Sequence, residues 1–174
     1  MTDKTQASPI KSGFDAARAM EFARSELFDR TFKDGMGLVE ETAAYLDGPG
    51  RAVSKRLSRG AALAYAGESM RLTTRLMQVA SWLLVQRAMR EGEIPMDEAS
   101  SEKYRLIARE PTPAPAFAAT DELPEALKAL MLKGAAIFER VRRLDETMYD
   151  GEAAAENANP VSDQHARLAA AFLR

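Results

Sequence analysis

Four basic residues, Arg51, Lys55, Arg56 and Arg59, follow directly on Gly48-Pro49-Gly50 in the stretch EETAAYLDGPGRAVSKRLSRG. A glycine-rich loop running into a basic helix start is one way to hold phosphate, since free amides and the helix N-terminus both face the anion. A phosphate loop needs Gly-x-x-x-x-Gly-Lys-Ser/Thr after a strand, and a dinucleotide loop needs Gly-x-Gly-x-x-Gly after a strand. Neither spacing is present, and the residues before Gly48 follow a helical pattern, so the stretch reads as a corner between two helices. The cations read first as a solvated face, next as contacts for an acidic partner surface, and only third as a nucleic-acid contact. They sit near a helix N-terminus, where positive charge is slightly unfavourable.

The remaining chemistry-bearing residues point away from catalysis. The only histidine, His165, lies near the C-terminal end, and there is no cysteine. That excludes thiolate nucleophiles, disulfides and cysteine-ligated metals, and it leaves no Ser-His-Asp, His-rich zinc or Glu-x-x-His di-iron arrangement to be built in a helical core. Glu40 and Glu41 are adjacent on a helix and diverge, which suits them poorly to paired acid–base work. No enzyme activity, metal or cofactor is expected; a scaffold or adaptor is the better class.

Composition sets the frame for these residues. The chain has 174 residues, 46% apolar and 29% charged, with a net charge of −2. This describes one globular domain with a core, and it lacks the basic excess of a dedicated nucleic-acid binder. The start, MTDKTQASPIKSG, carries no apolar stretch of the signal-peptide kind, and LMQVASWLLVQRAM is too short and too interrupted to span a bilayer. A cytoplasmic protein with no membrane span is expected.

Three long helical patterns organise the chain. From Asp15 to Leu46 the apolar positions Phe28, Phe32, Met36, Val39, Ala43 and Leu46 recur at steps of four and three, with Asp15 as a capping candidate. Gly35 and Gly37 inside this pattern suit close approach of a neighbouring helix. Gly48 is expected to close the helix in the left-handed conformation, with Pro49 preventing its continuation. A second helix runs from about Val53 to Glu91, begun by Ser54 or a residue near it. Its later half is apolar nearly all round: Leu72, Leu76, Val79 and Leu83 form one stripe, while Met70, Met77, Leu84 and Val85, Trp82, Met89 fall on others. Such a helix is either central in its domain or covered on a second side by another subunit. This surplus predicts a homodimer seam at Trp82, Val85 and Met89; a packed core position is the competing reading for Trp82.

Pro95, Pro111, Pro113 and Pro115 forbid one continuous helix through the next segment, in which PTPAP favours an extended path. The third helix follows, with Leu123, Leu127, Leu130, Gly134, Ile137, Val141, Leu144 and Met148 in a heptad-like seam and Pro124 in its first turn. The fold expected is all-α: an elongated antiparallel three-helix bundle over residues 14–149, with a long Pro-rich loop before the third helix. Residues 1–13 read as a flexible N-terminus and 150–174 as a disordered tail, whose tip carries Leu168, Phe172 and Leu173 for docking on the bundle or on another protein.

FDAARAMEFARSELFDRTFKDGMGLVEETAAYLDGPGR, together with SMRLTTRLMQVASWLLVQRAM and SSEKYRLIARE, resembles the alphaproteobacterial regulators of CtrA degradation, the RcdA family. The phrase EETAAYLDGPGR is the most specific part. The resemblance implies a dimeric three-helix bundle that acts as an adaptor for the ClpXP protease. It implies that the adaptor joins ClpX already primed by CpdR, brings client cell-cycle regulators to it, and for some clients works with a further cyclic-di-GMP-binding adaptor. It also implies that the C-terminal tail takes part in engaging the primed protease. The competing readings are a nucleic-acid-associated regulator using residues 51–60 and a purely structural dimer.

Overall fold

The computed structural model describes residues 16–99, 101, 104–106 and 120–149. Among them the chain is all-α, with helices α1 (Ala16–Ala23), α2 (Glu26–Asp47), α3 (Pro49–Ser54), α4 (Arg59–Glu91), α5 (Met96–Ala99) and α6 (Glu125–Tyr149), and a 3-10 turn at Thr120–Glu122. The three long helices α2, α4 and α6 pack pairwise around one core, and α1 lies against α4. The proposed cap Asp15, the N-terminal residues and the tail from 150 onward lie outside the described residues.

Local chemistry sets the element boundaries. The first apolar pattern is broken into α1 and α2 at Ser25, whose extended backbone (φ −81°, ψ 153°) suits a helix cap. Its hydroxyl donates to the Phe22 carbonyl at 2.6 Å and accepts from the Phe28 amide at 3.2 Å. Periodicity alone reads straight through this point, because both sides keep the same apolar stripe. Ser58 caps α4 in the same way, accepting from the Ala61 amide at 3.2 Å. Gly92 ends α4 with φ +77°, the left-handed closure expected of glycine.

Gly48 departs from its expectation. Its φ is −106°, because Pro49 starts α3 immediately and the chain turns through that short helix instead of through a left-handed cap. The corner reading itself holds, since α2, α3 and α4 follow one another there.

The bundle direction also needs correction. Asp34 pairs with Arg140 and Glu41 with Lys133, so α2 and α6 are antiparallel. Arg90 pairs with Asp29, and Gly35 lies against Leu83, so α2 and α4 are antiparallel too. Yet Gly134 packs on Leu72 while Asp145 meets Trp82, so α4 and α6 run parallel. Gly92 and Glu122 therefore lie at opposite ends of α4, the one closing it and the other bonded to Ser58 at its start, so the connection between α4 and α6 has to be longer than antiparallel neighbours require.

Leu72, Val79, Leu83, Leu127 and Val141 fill the centre, as the helical stripes require. Two glycines let the helices approach. A Cβ on Gly35 would lie 2.7 Å from Leu83 Cδ1, and one on Gly134 would lie 2.6 Å from Leu72 Cδ1. Gly37 has no such role, being exposed with open space around it.

Candidate partner-binding surfaces

Helix α4 is central, and its two sides differ in kind. Leu72, Leu76, Val79 and Leu83 are buried against α2 and α6, while Leu63, Met70, Met77 and Leu84 are respectively 63%, 72%, 64% and 47% exposed. These four repeat every seven residues and so form one ridge along the outside of the helix. Small or uncharged residues flank it, including Ala66, Thr73, Thr74, Ala80 and Ser81. The nearby ions are turned aside: Arg71 pairs with Glu68, and the Arg75 guanidinium lies 5.8 Å from the centre of the Phe138 ring. An uncharged ridge of large side chains is the anatomy of the centre of a protein interface, not of a solvated face.

A hollow opens on each side of Met77. One, of about 240 Å³, lies between α2 and α4 and is lined by Val39, Thr42, Leu46, Thr73 and Leu76. The other, of about 390 Å³, lies between α4 and the segment Tyr104–Leu106, with Gln78, Ser81, Trp82 and Val85 in its wall. A ridge beside hollows is the shape that lets two helices interdigitate.

This geometry counts against Trp82 and Met89 as an outward seam. Trp82 is 1% exposed and Met89 2% exposed, so both belong to the core of the single chain and cannot face a second subunit. Val85 is half-buried in the wall of the larger hollow. Trp82 turns inward because its indole Nε1–H donates to the Asp145 carboxylate at 2.8 Å and its ring lies 6.1 Å from Phe22. The same carboxylate accepts from Arg105 Nη2 at 3.1 Å and from the Leu106 amide at 3.4 Å. Asp145 therefore fastens the returning chain to both α4 and α6. Burial raises its pKa above the usual carboxylate range, against the opposing pull of Trp82, Arg105 and the Leu106 amide. Sequence reading passed over Asp145; the signal available was a carboxylate four residues after Val141 and three before Met148, on the apolar side of the helix.

The basic corner lies at the other end of the bundle. Arg51, Lys55, Arg56 and Arg59 are all exposed, around α3 and the start of α4. Arg51 lies in α3, Lys55 and Arg56 in the link that follows, and Arg59 at the start of α4. Nearby, the Ser58 hydroxyl donates to the Glu122 carboxylate at 2.8 Å and ties the 3-10 turn to α4. The candidate tail residues Leu168, Phe172 and Leu173 lie outside the described residues.

Among the described residues no group of three or more His, Cys, Asp or Glu side chains could hold a metal ion. No helix among them is long and apolar enough to cross a membrane. The features that stand out are surfaces: an uncharged ridge, a hollow on each side of it, and a cationic corner. These define a helical-bundle protein whose distinguishing parts suit contact with other macromolecules. The chain belongs to the RcdA family, and the family described as Protein of unknown function (DUF1465) matches it over residues 19–172. The crystal structure of RcdA from Caulobacter crescentus CB15 is 61% identical in sequence, with a TM-score of 0.63, and the match covers 75% of this chain and 97% of that one. No curated protein matches it.

Proposed function

We propose that the protein is a non-catalytic adaptor that helps deliver cell-cycle regulatory proteins to the CpdR-primed ClpXP protease. The observation that carries this reading is the 61% identity to Caulobacter RcdA over 97% of that chain. The uncharged ridge and the cationic corner support it, because an adaptor must hold several partners and needs separate surfaces to do so. In this reading ClpX with CpdR, client proteins and, for some clients, a cyclic-di-GMP-binding adaptor are the partners. The tail residues Leu168, Phe172 and Leu173 contribute to engaging the primed protease.

Reconstitution tests it. Client degradation by purified ClpXP with CpdR should accelerate when the protein is added, and removal of residues 151–174 should abolish most of that gain. A client degraded equally fast with and without the protein would refute the adaptor role.

The proposed homodimer forms through Leu63, Met70, Met77 and Leu84, with the ridge of one subunit set beside that of its partner. Met70→Glu combined with Met77→Glu places two charges on this face without touching the core. Light scattering should then report a folded monomer. A double variant that stays dimeric would place the seam elsewhere.

A further inference from the structure

We propose that the corner formed by α3 and the start of α4 is a docking surface for an acidic protein segment carrying an apolar side chain among its carboxylates. This rests on the corner alone and is independent of the adaptor reading. Among the described residues, none of Arg51, Lys55, Arg56 and Arg59 has a carboxylate within the 4.0 Å of a salt bridge. Elsewhere most cations are paired: Arg30 with Glu26, Arg90 with Asp29, Arg105 with Asp145, Lys133 with Glu41 and Arg140 with Asp34. Among the described residues Arg24, Lys33 and Arg75 also lack a carboxylate in that range, but they are scattered, whereas the corner has four such cations within residues 51–59.

Leaving these four unpaired works against the fold. They repel one another, and Arg59 occupies the first turn of α4, where the helix dipole disfavours a cation. Neither α3 nor α4 has an acidic residue in its first turn. Glu122 comes as near as the Ser58 hydroxyl and still forms no ion pair with Arg59. A partner's carboxylates would relieve this repulsion on binding, which gives charge complementarity a direct physical source.

The apolar component comes from Val53, which is 40% exposed, and from half-buried Leu57, both set among the cations. The platform is also held firmly. A Cβ on Gly50 would lie 2.4 Å from the Tyr65 hydroxyl oxygen and 2.8 Å from both Tyr45 Cε1 and the Tyr45 carbonyl oxygen, so α3 rests directly on these residues. A preformed platform loses little entropy when it binds. Nucleic acid fits less well. A phosphate backbone calls for a longer basic face, whereas this cluster spans only residues 51–59 and belongs to a chain of net charge −2.

The test uses the full-length protein and fluorescence anisotropy. Three labelled probes are compared at moderate salt: a short peptide of alternating glutamate and leucine, a matched peptide of glutamate and serine, and a single-stranded DNA. The Glu–Leu peptide should bind most tightly. Changing all four cations to Gln should weaken it by about tenfold or more, and Val53→Ser should weaken it several-fold. Lys33→Glu, an exposed change on α2, should leave binding unchanged, and the four-Gln variant should melt no lower than the parent. Peptide binding that ignores the four substitutions would overturn the proposal. So would DNA binding more tightly than the Glu–Leu peptide with dependence on the same residues, which would mark a nucleic-acid surface. A marked fall in melting temperature of the four-Gln variant would assign the cations to the fold and overturn it as well.

Discussion

Arg105 and Arg59 are each an arginine near a helix of the same bundle, and they live in opposite surroundings. Arg105 meets Asp145, which also accepts from the Trp82 indole and the Leu106 amide, so that end of the molecule is closed by charge and hydrogen bonding. Arg59 stands with three other cations and no carboxylate in salt-bridge range among the described residues. One end spends its charges on holding the returning chain in place; the other leaves them facing outward. A charged group met by partners inside the fold fixes where the chain lies, whereas charge left unsatisfied at slight cost is available to something else.

The largest effect is expected at the closed end. Asp145→Leu removes the acceptor for three donors at once and leaves the Trp82 N–H buried without a partner, costing about 2–4 kcal/mol by denaturant unfolding. Asp145→Asn keeps an oxygen for Trp82 and should cost less. The sign of its pH dependence follows from the raised pKa. Ionisation of a carboxyl whose folded pKa is raised opposes folding, so Asp145 favours the fold most while protonated, below the ordinary aspartate range. That contribution fades as the pH climbs through the raised value. Melting curves across acid and neutral pH should therefore show Asp145→Asn gaining on the parent as pH rises. A gap that widens as pH rises would mean the Arg105 pairing outweighs burial.

The open end predicts smaller and partly opposite effects. Gly50→Val would force a side chain against the Tyr45 carbonyl oxygen and the Tyr65 hydroxyl, and overpacking of this kind costs about 1–3 kcal/mol. No loss on calorimetry would mean that α3 can lift away from its platform. Arg59→Glu should stabilise the protein by about 0.3–1 kcal/mol, because a carboxylate in the first turn suits the α4 dipole and breaks up the cation cluster. Destabilisation would contradict the contrast between the two ends. The smallest effect belongs to the surface of α6. Glu139 is held at about 2 by hydrogen bonds from Arg142 and Arg143, so it favours the fold above the ordinary carboxylate range and loses that contribution as pH falls toward 2. Glu139→Gln should remove a shallow acid-side slope from the stability profile and change little at neutral pH.

Much of this was legible in the chain. The α6 stripe from Leu123 to Met148 is a single repeating seam, and its residues are buried or half-buried as that period demands. The corner at Gly48-Pro49-Gly50 was legible because proline ends a helix for a local covalent reason. Helix α4 was different. Its apolar positions occur on several sides, and periodicity identifies stripes without saying which one a neighbour covers. The spacing alone therefore leaves Trp82 and Met89 as outward candidates, whereas in the fold Leu63, Met70, Met77 and Leu84 are the exposed large apolar residues of α4.

By itself the sequence determined the all-α class, the three long helices, the cluster of four cations and the absence of cysteine chemistry, since each depends on residue type or on spacing within one helix. Only the tertiary structure decided which side of α4 is core. That side is the one packed on α2 and α6, and it brings Trp82 to Asp145, a residue far away in the chain that reaches it because α6 runs parallel to α4. The parallel return was itself undetermined by local signals, because the direction of a long connection is set by where its two ends pack. The same holds for the unpaired corner. Its cations are visible in the sequence, but whether a carboxylate from another element approaches them is a matter of distance across the fold, and among the described residues none does.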